Sequence, residues 1–169
     1  ANEMFSSLNT SADISDNLNV SNWKTHNLTD IGYIFQGVRL KNIIGLETWN
    51  VENVITMWYA FSSLRLETLN IGTWRFSPEL SSIQNLFDNS NNLQRVGDLS
   101  NWNVENITNF NAVFFMCTQL NDLQGTDFSK WCVENATQYD NFATNAGWRY
   151  NLSDHDAHLP KFGQPCPTP

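Results

Sequence analysis

Five tryptophans, Trp23, Trp49, Trp74, Trp102 and Trp131, recur at intervals of 26, 25, 28 and 29 residues. A period in this range marks a chain built from stacked supersecondary units, none of which can bury its apolar face alone. The neighbourhoods of these residues recur with them. Apolar residues lie five and three positions before the first three: Leu18 and Val20, Ile44 and Leu46, Leu69 and Ile71. Val96 and Leu99 precede Trp102, and Leu123 and Phe128 precede Trp131, less regularly. Val51, Val54, Met57 and Phe61 follow Trp49; Val104, Ile107, Phe110 and Phe114 follow Trp102 at the same offsets. Leu28, Ile31 and Phe35 keep three of those offsets after Trp23, and Leu80, Ile83 and Phe87 follow Trp74 one residue late, after Pro78. Val133, Ala136 and Tyr139 follow Trp131. The tetrad Asn-Val-Glu-Asn stands at 50–53 and 103–106, and Val-Glu-Asn at 133–135.

Two periods coexist within a unit. The stretch before each Trp alternates apolar and polar residues, which predicts a short strand. The stretch after it spaces apolar residues three and four apart, which predicts one or two helical turns. The expected fold is an α/β repeat: a leucine-rich-repeat-like solenoid of about five repeats, with short parallel strands and short helical turns. It spans residues 18–147, between an N-terminal cap or docking arm at 1–17 and a C-terminal cap tail at 148–169. In such a fold the five tryptophans are core. Trp58 and Trp148 fall outside their register and are the two candidates for an aromatic ligand surface.

Charge narrows the partners. Nine Lys and Arg stand against 17 Asp and Glu, a net charge of -8. An acidic chain repels phosphate backbones, so nucleic acid is not an expected partner. No run approaches the roughly 20 apolar residues that cross a bilayer, so membrane insertion is not expected. The first residues lack the charged and apolar regions of a signal peptide, and a start on Ala1 reads as a leader already removed. Three cysteines, Cys117, Cys132 and Cys166, form no Cys-x-x-Cys pair, which argues against a zinc site.

The unit Leu-x-x-Trp-Asn-Val-Glu-Asn-Val-x-x-Met-x-x-x-Phe resembles the BspA-type leucine-rich repeat. The best copies run from Ile44 to Leu64 and from Val96 to Leu120. The ending is similar too: Trp131-Cys132-Val133-Glu134-Asn135, then Asn141-Phe142-Ala143-Thr144-Asn145, then a tail from Leu159-Pro160 to Cys166-Pro167. The third unit departs, with Arg75-Phe76-Ser77-Pro78 in place of Asn-Val-Glu-Asn, and the first lacks the Val after Trp23. The resemblance implies a secreted or cell-surface protein that contacts proteins, host matrix or other cells, without catalytic residues or cofactor. It also implies a Cys132–Cys166 disulfide. Such a bridge would pin a tail poor in apolar residues, and a loop of that length contributes roughly 3–4 kcal/mol. Cys117, among Phe114, Phe115 and Met116, reads as a small buried hydrophobe; a Cys117–Cys132 pair is the alternative.

No catalytic constellation emerges, and the expectation is a protein that is not an enzyme, with no cofactor and no metal. The most site-like cluster is Asp154-His155-Asp156-Ala157-His158. Its two histidines, three apart, lack an evident third metal ligand, so a solvated cap loop is the plainer reading. Asparagine is abundant, with 24 residues. Asn9, Asn19, Asn27, Asn106, Asn135 and Asn151 stand in Asn-x-Ser/Thr sequons and become candidate glycan acceptors if a eukaryotic cell secretes the chain. Asn27, Asn53, Asn106 and Asn135 share one column, four residues after their Trp. There they are expected to cap a turn or bond the neighbouring unit's backbone. The outward strand positions form the expected binding face: Asn19, Glu47, Asn70, Asp98, Ser100 and Asp127, with Trp58 as an aromatic addition. Two functions follow. One is an extracellular protein-interaction or adhesion module for a protein or cell-surface ligand. The other is a subunit that stacks on copies of itself into an extracellular filament.

Overall fold

The computed structural model describes residues 17–151 and 155–168. Regular elements are sparse among them. Strands β1 (Asn17–Asn19) and β2 (Asn42–Ile44) pair in parallel, with Leu18 opposite Ile43. One five-residue helix, α1 (Gly147–Asn151), lies near the C-terminus. Short 3-10 turns occupy Leu46–Thr48, Phe128–Lys130 and His155–His158. The α/β leucine-rich-repeat-like solenoid expected from the sequence is therefore not the fold. Among the described residues there are only two strands, and no helix fills the apolar stretch after any of the five tryptophans.

The reason lies in where the amides go. In the first unit Ile34 N donates to Ile31 O, Gln36 N to Tyr33 O and Val38 N to Phe35 O, a run of consecutive tight turns at 3.1–3.2 Å. The alternate amides point sideways. Ile31, Tyr33, Phe35 and Gly37 donate to Thr56, Trp58, Ala60 and Ser62 of the next unit, at 2.8–3.1 Å. Ile83, Asn85, Phe87 and Asn89 repeat this onto Asn109, Asn111, Val113 and Phe115. Phe110, Ala112, Phe114 and Met116 repeat it onto Gln138, Asp140, Phe142 and Thr144. An α-helix needs every such amide for its own i→i−4 bond. Here half of them join units.

Left-handed residues make this path. Tyr33, Tyr59, Asn85, Ala112 and Asn141 have φ of 53–59°, and four residues on Gly37, Ser63, Asn89, Met116 and Asn145 have φ of 56–69°. A left-handed residue every four positions ends each turn before it becomes a helix. It also returns every third and fourth side chain to the same side, so the helical apolar spacing survives without a helix. Strand pairing fails for a related reason. Beyond β1 and β2, the pre-tryptophan segments touch through single parallel bridges such as Thr68↔Arg95, because short turns interrupt them.

The core is two aromatic columns. Phe35, Phe61, Phe87 and Phe114 stack in order, with centroids 5.8, 5.8 and 5.2 Å apart and planes within 17°. Trp23, Trp49 and Trp74 stack at 5.8 and 6.4 Å, and Trp102 and Trp131 at 5.9 Å. Where the third unit departs in sequence, Phe76 meets Trp102 edge-on at 4.8 Å. Four of these indoles are also anchored. Nε1 of Trp49, Trp74, Trp102 and Trp131 donates to the carbonyl of Val20, Leu46, Ile71 and Leu99, at 3.3, 2.8, 3.1 and 2.9 Å. That acceptor always lies three residues before the preceding unit's Trp.

The C-terminal end is covered. Cys132 and Cys166 form a disulfide across a sequence separation of 34. Gly163 N donates to Val133 O at 3.1 Å, and Phe162 packs on Phe110, Phe142 and Tyr139. Trp148 is fully buried against Phe128, which removes it as a ligand surface. The segment 1–16 lies outside the described residues.

Trp74→Phe keeps an aromatic ring but deletes the donor to Leu46 O and leaves a void. It should cost about 2–3 kcal/mol, read as a lower urea midpoint at unchanged slope. Cys132→Ser with Cys166→Ser should lower stability by roughly 3–4 kcal/mol in the same measurement under non-reducing conditions.

Candidate functional site

A concavity among the described residues follows from a break in the inter-unit bonding. Segment 17–20 is bonded to 42–44, and segment 67–71 to 94–96. Among the described residues no backbone hydrogen bond joins 41–46 to 66–71. The Trp49–Trp74 spacing of 6.4 Å is wider than the Trp23–Trp49 and Trp102–Trp131 spacings of 5.8 and 5.9 Å. A groove of about 630 Å³ opens there, with Ile44, Glu47, Thr68, Asn70, Arg95 and Asp98 on its walls. Ile44 is 47% exposed, a branched apolar side chain at the mouth of a polar groove.

Three residues of the expected face, Glu47, Asn70 and Asp98, therefore come together. Asn19, Ser100, Asp127 and Trp58 do not line the groove. Several of them hold the backbone instead. Asn19 Oδ1 accepts from Ser21 N and Ser21 Oγ at 3.0 and 2.7 Å. Asp98 Oδ1 accepts from Ser100 N at 2.9 Å, and Asp127 Oδ1 from Ser129 N and Oγ at 3.1 and 2.6 Å. These are local turns closed by a side-chain oxygen on an amide two residues on. Ser100 Oγ then accepts from Asp127 N at 3.0 Å, tying one turn to the next.

The same bonds set the charges. Hydrogen bonds from the Ser100 side chain and then its backbone N–H hold the Asp98 carboxyl below the usual carboxylate range, with Lys130 adding to the effect. Burial works against ionisation of Asp127, but its bonds from Ser129 and the nearby His158 outweigh it and lower this carboxyl too. His158 Nδ1 lies 3.6 Å from Asp127 Oδ1, which brings a tail histidine against this face. Asp154 and the His155 side chain lie outside the described residues. Among the described residues no three metal-ligating side chains converge, and no helix is long and apolar enough to cross a membrane.

Sequence reasoning missed Arg95, the cation of the groove, and Gln124, whose Oε1 accepts from Gly97 N at 2.8 Å. Arg95 is exposed and sits opposite Thr68 in the parallel bridge. Its place in the alternation before Trp102 was the available signal. Close packing across this face appears at Gly72, where a Cβ would run into the carbonyl oxygen of Asp98.

The asparagine column is structural at two of its members. Asn53 Nδ2 donates to His26 O at 2.8 Å, and Asn135 Nδ2 to Glu105 O at 3.0 Å, each bonding the neighbouring unit's backbone. Asn27 and Asn106 of the same column are exposed, as is Asn19. Asn9 and the side chain of Asn151 lie outside the described residues. Cys117 is fully buried and unpaired with another cysteine. Its thiol donates to Phe87 O at 3.1 Å, as the hydroxyl of Ser90, its counterpart one unit earlier, donates to Phe61 O at 2.7 Å. Burial pushes this thiol up to about 12, so it is neither nucleophile nor metal ligand at neutral pH.

Two stretches of the chain, residues 1–95 and 60–157, match the family described as Mycoplasma protein of unknown function, DUF285. The chain belongs to this family. The two matches overlap over 60–95, as an internally repeated chain requires. No curated protein and no solved structure matches the chain. For this DUF285 member the described residues thus hold a polar groove, a set of serine-locked carboxylates and a capped C-terminal end.

Ser100→Ala should return the Asp98 carboxyl toward its ordinary range, read by carbon-detected NMR titration. The sign is fixed by linkage. A lowered folded-state value stabilises above the ordinary carboxylate range and is lost as pH falls through it. The variant should therefore show a smaller loss of stability between neutral and acid pH than the parent.

Proposed function

We propose that the chain is an extracellular, non-catalytic protein-interaction or adhesion module of the BspA-like surface kind, and that it meets its partner at the groove between Ile44, Glu47, Thr68, Asn70, Arg95 and Asp98. The observation that carries this reading is the interrupted inter-unit bonding. It leaves backbone amides and carbonyls of two adjacent segments beside an exposed isoleucine and side chains of both charges. Such a surface suits an extended protein segment, which supplies main-chain hydrogen bonds and one apolar anchor. The disulfide supports an oxidising, extracellular setting.

The filament reading has less support. Head-to-tail stacking needs an open end. The C-terminal end carries Phe162 on the last aromatic residues and the disulfide-bonded tail across it.

The test uses the full chain against a panel of purified extracellular-matrix proteins in biolayer interferometry, with light scattering for oligomeric state. At least one panel protein should bind. Glu47→Arg and Asp98→Arg should each weaken that binding about tenfold or more, equivalent to about 1.4 kcal/mol, while Glu105→Arg leaves it unchanged. A panel without a binder, or a binder indifferent to both groove substitutions, would overturn the proposal.

A further inference from the structure

A second exposed feature lies apart from the groove. Trp58 is 43% exposed, although the other tryptophans of the described residues are core or packed against it. Nothing in the fold demands an indole there. The backbone bonds Tyr33 N→Trp58 O and Tyr59 N→Gln84 O, at 3.1 and 3.3 Å, align Gly32, Trp58 and Gln84 as equivalent positions of successive units. The bonds of Asn85 and Ala112 extend the column to Asn111 and Asp140. Every other member of this column is small or polar.

The indole is nonetheless held. A Cβ on Gly32 would stand 2.9 Å from both Trp58 Cδ1 and Nε1, so the pyrrole edge rests directly on a glycine. The residues that follow Gly32 and Trp58 in the chain, Tyr33 and Tyr59, stack with planes 5° apart and centroids at 5.2 Å, both half-buried. The next unit supplies Gln84 and Asp88, and the unit after it Asn109, whose side-chain amide donates to that of Gln84 at 2.9 Å. Asp88 is close enough to act on Tyr59, whose phenol is raised by burial, then by Asp88 and by Tyr33.

From this juxtaposition we infer that Trp58, with the Tyr33–Tyr59 pair and the amides of Gln84 and Asn109, forms a binding platform for a neutral oligosaccharide. A pyranose ring has an apolar CH face and a rim of hydroxyls. The first packs on a pinned, exposed indole, and the second needs side-chain amide, carboxylate and phenol partners. An aromatic fixed at one edge loses little freedom on binding, which favours a weak ligand. Asp88 and the net charge of -8 select against sialylated or sulfated sugars. This platform goes beyond the groove, and its residues are not among those that line it.

The experiment is isothermal titration of the full chain with cellotetraose, chitotetraose and N-acetyllactosamine, with tryptophan emission followed in parallel. At least one should saturate with a dissociation constant below about 1 mM, and a sialylated analogue should bind at least threefold more weakly. Trp58→Ala should abolish the binding and Trp58→Phe should weaken it about tenfold, with far-UV circular dichroism showing that both variants remain folded. Gly32→Ala should weaken it by displacing the indole. Glu47→Arg and Asp98→Arg should leave it intact, so this test fails or succeeds independently of the groove. No saturation by any of the three sugars, or binding indifferent to Trp58→Ala, would overturn the inference. So would a Trp58→Ala variant that loses only a matrix-protein partner.

Discussion

Each inter-unit step depends on one carbonyl accepting two donors. The oxygens of Val20, Leu46, Ile71 and Leu99 take the backbone N–H of their own unit's tryptophan at 3.1–3.2 Å. Each also takes the indole N–H of the next unit's tryptophan. A carbonyl has two lone pairs, and both are used in a site from which water is excluded. The first bond bends the chain so that the tryptophan turns inward. The second sets how far along the stack the next unit can sit. Phenylalanine at these positions would fill most of the volume without setting that distance, which is why the column is tryptophan and not a mixture of aromatics.

The phenylalanine column performs the complementary task. It has no polar handle, so its register is set by backbone bonds on either side of it: Phe35, Phe61, Phe87 and Phe114 each donate their own N–H to the next unit. Together the two columns explain why so little regular secondary structure suffices. Units held by side-chain stacking and alternate amides leave neither strands nor helices a full set of backbone partners. The proposed sites fall at the exceptions. The groove opens where the sideways bonding lapses between 41–46 and 66–71, and the exposed indole stands in a column otherwise small or polar.

Much of this was legible beforehand. The tryptophan intervals and the repeated offsets identified the core residues. The Cys132–Cys166 bridge, implied by resemblance to the BspA-type family, is present. Of the expected face, Glu47, Asn70 and Asp98 line one groove, Asn19, Asp98 and Asp127 close local turns, and Trp58 stands on a different surface. Asn, Asp and Ser side chains serve equally to close local turns and to meet a partner, and their spacing does not distinguish the two uses. The left-handed positions were also visible in principle. All ten are Gly, Asn or unbranched residues, none β-branched, as positive φ requires, but Tyr59 or Met116 alone gives no such hint.

What the sequence by itself determined was periodicity, the inward residues and the charge. Those depend on which side chains are apolar and how often they return. What only the tertiary structure decided was the backbone that carries them. Residues three and four apart share a side in an α-helix, and equally in a chain of turns with a left-handed residue every four positions. The choice between the two rests on whether the amides find partners within the unit or in the next one. A neighbouring unit with its own amide and carbonyl rows at the right spacing exists only once the stack has formed, so a solenoid of strands and helices was the expectation and a stack of linked turns is the fold.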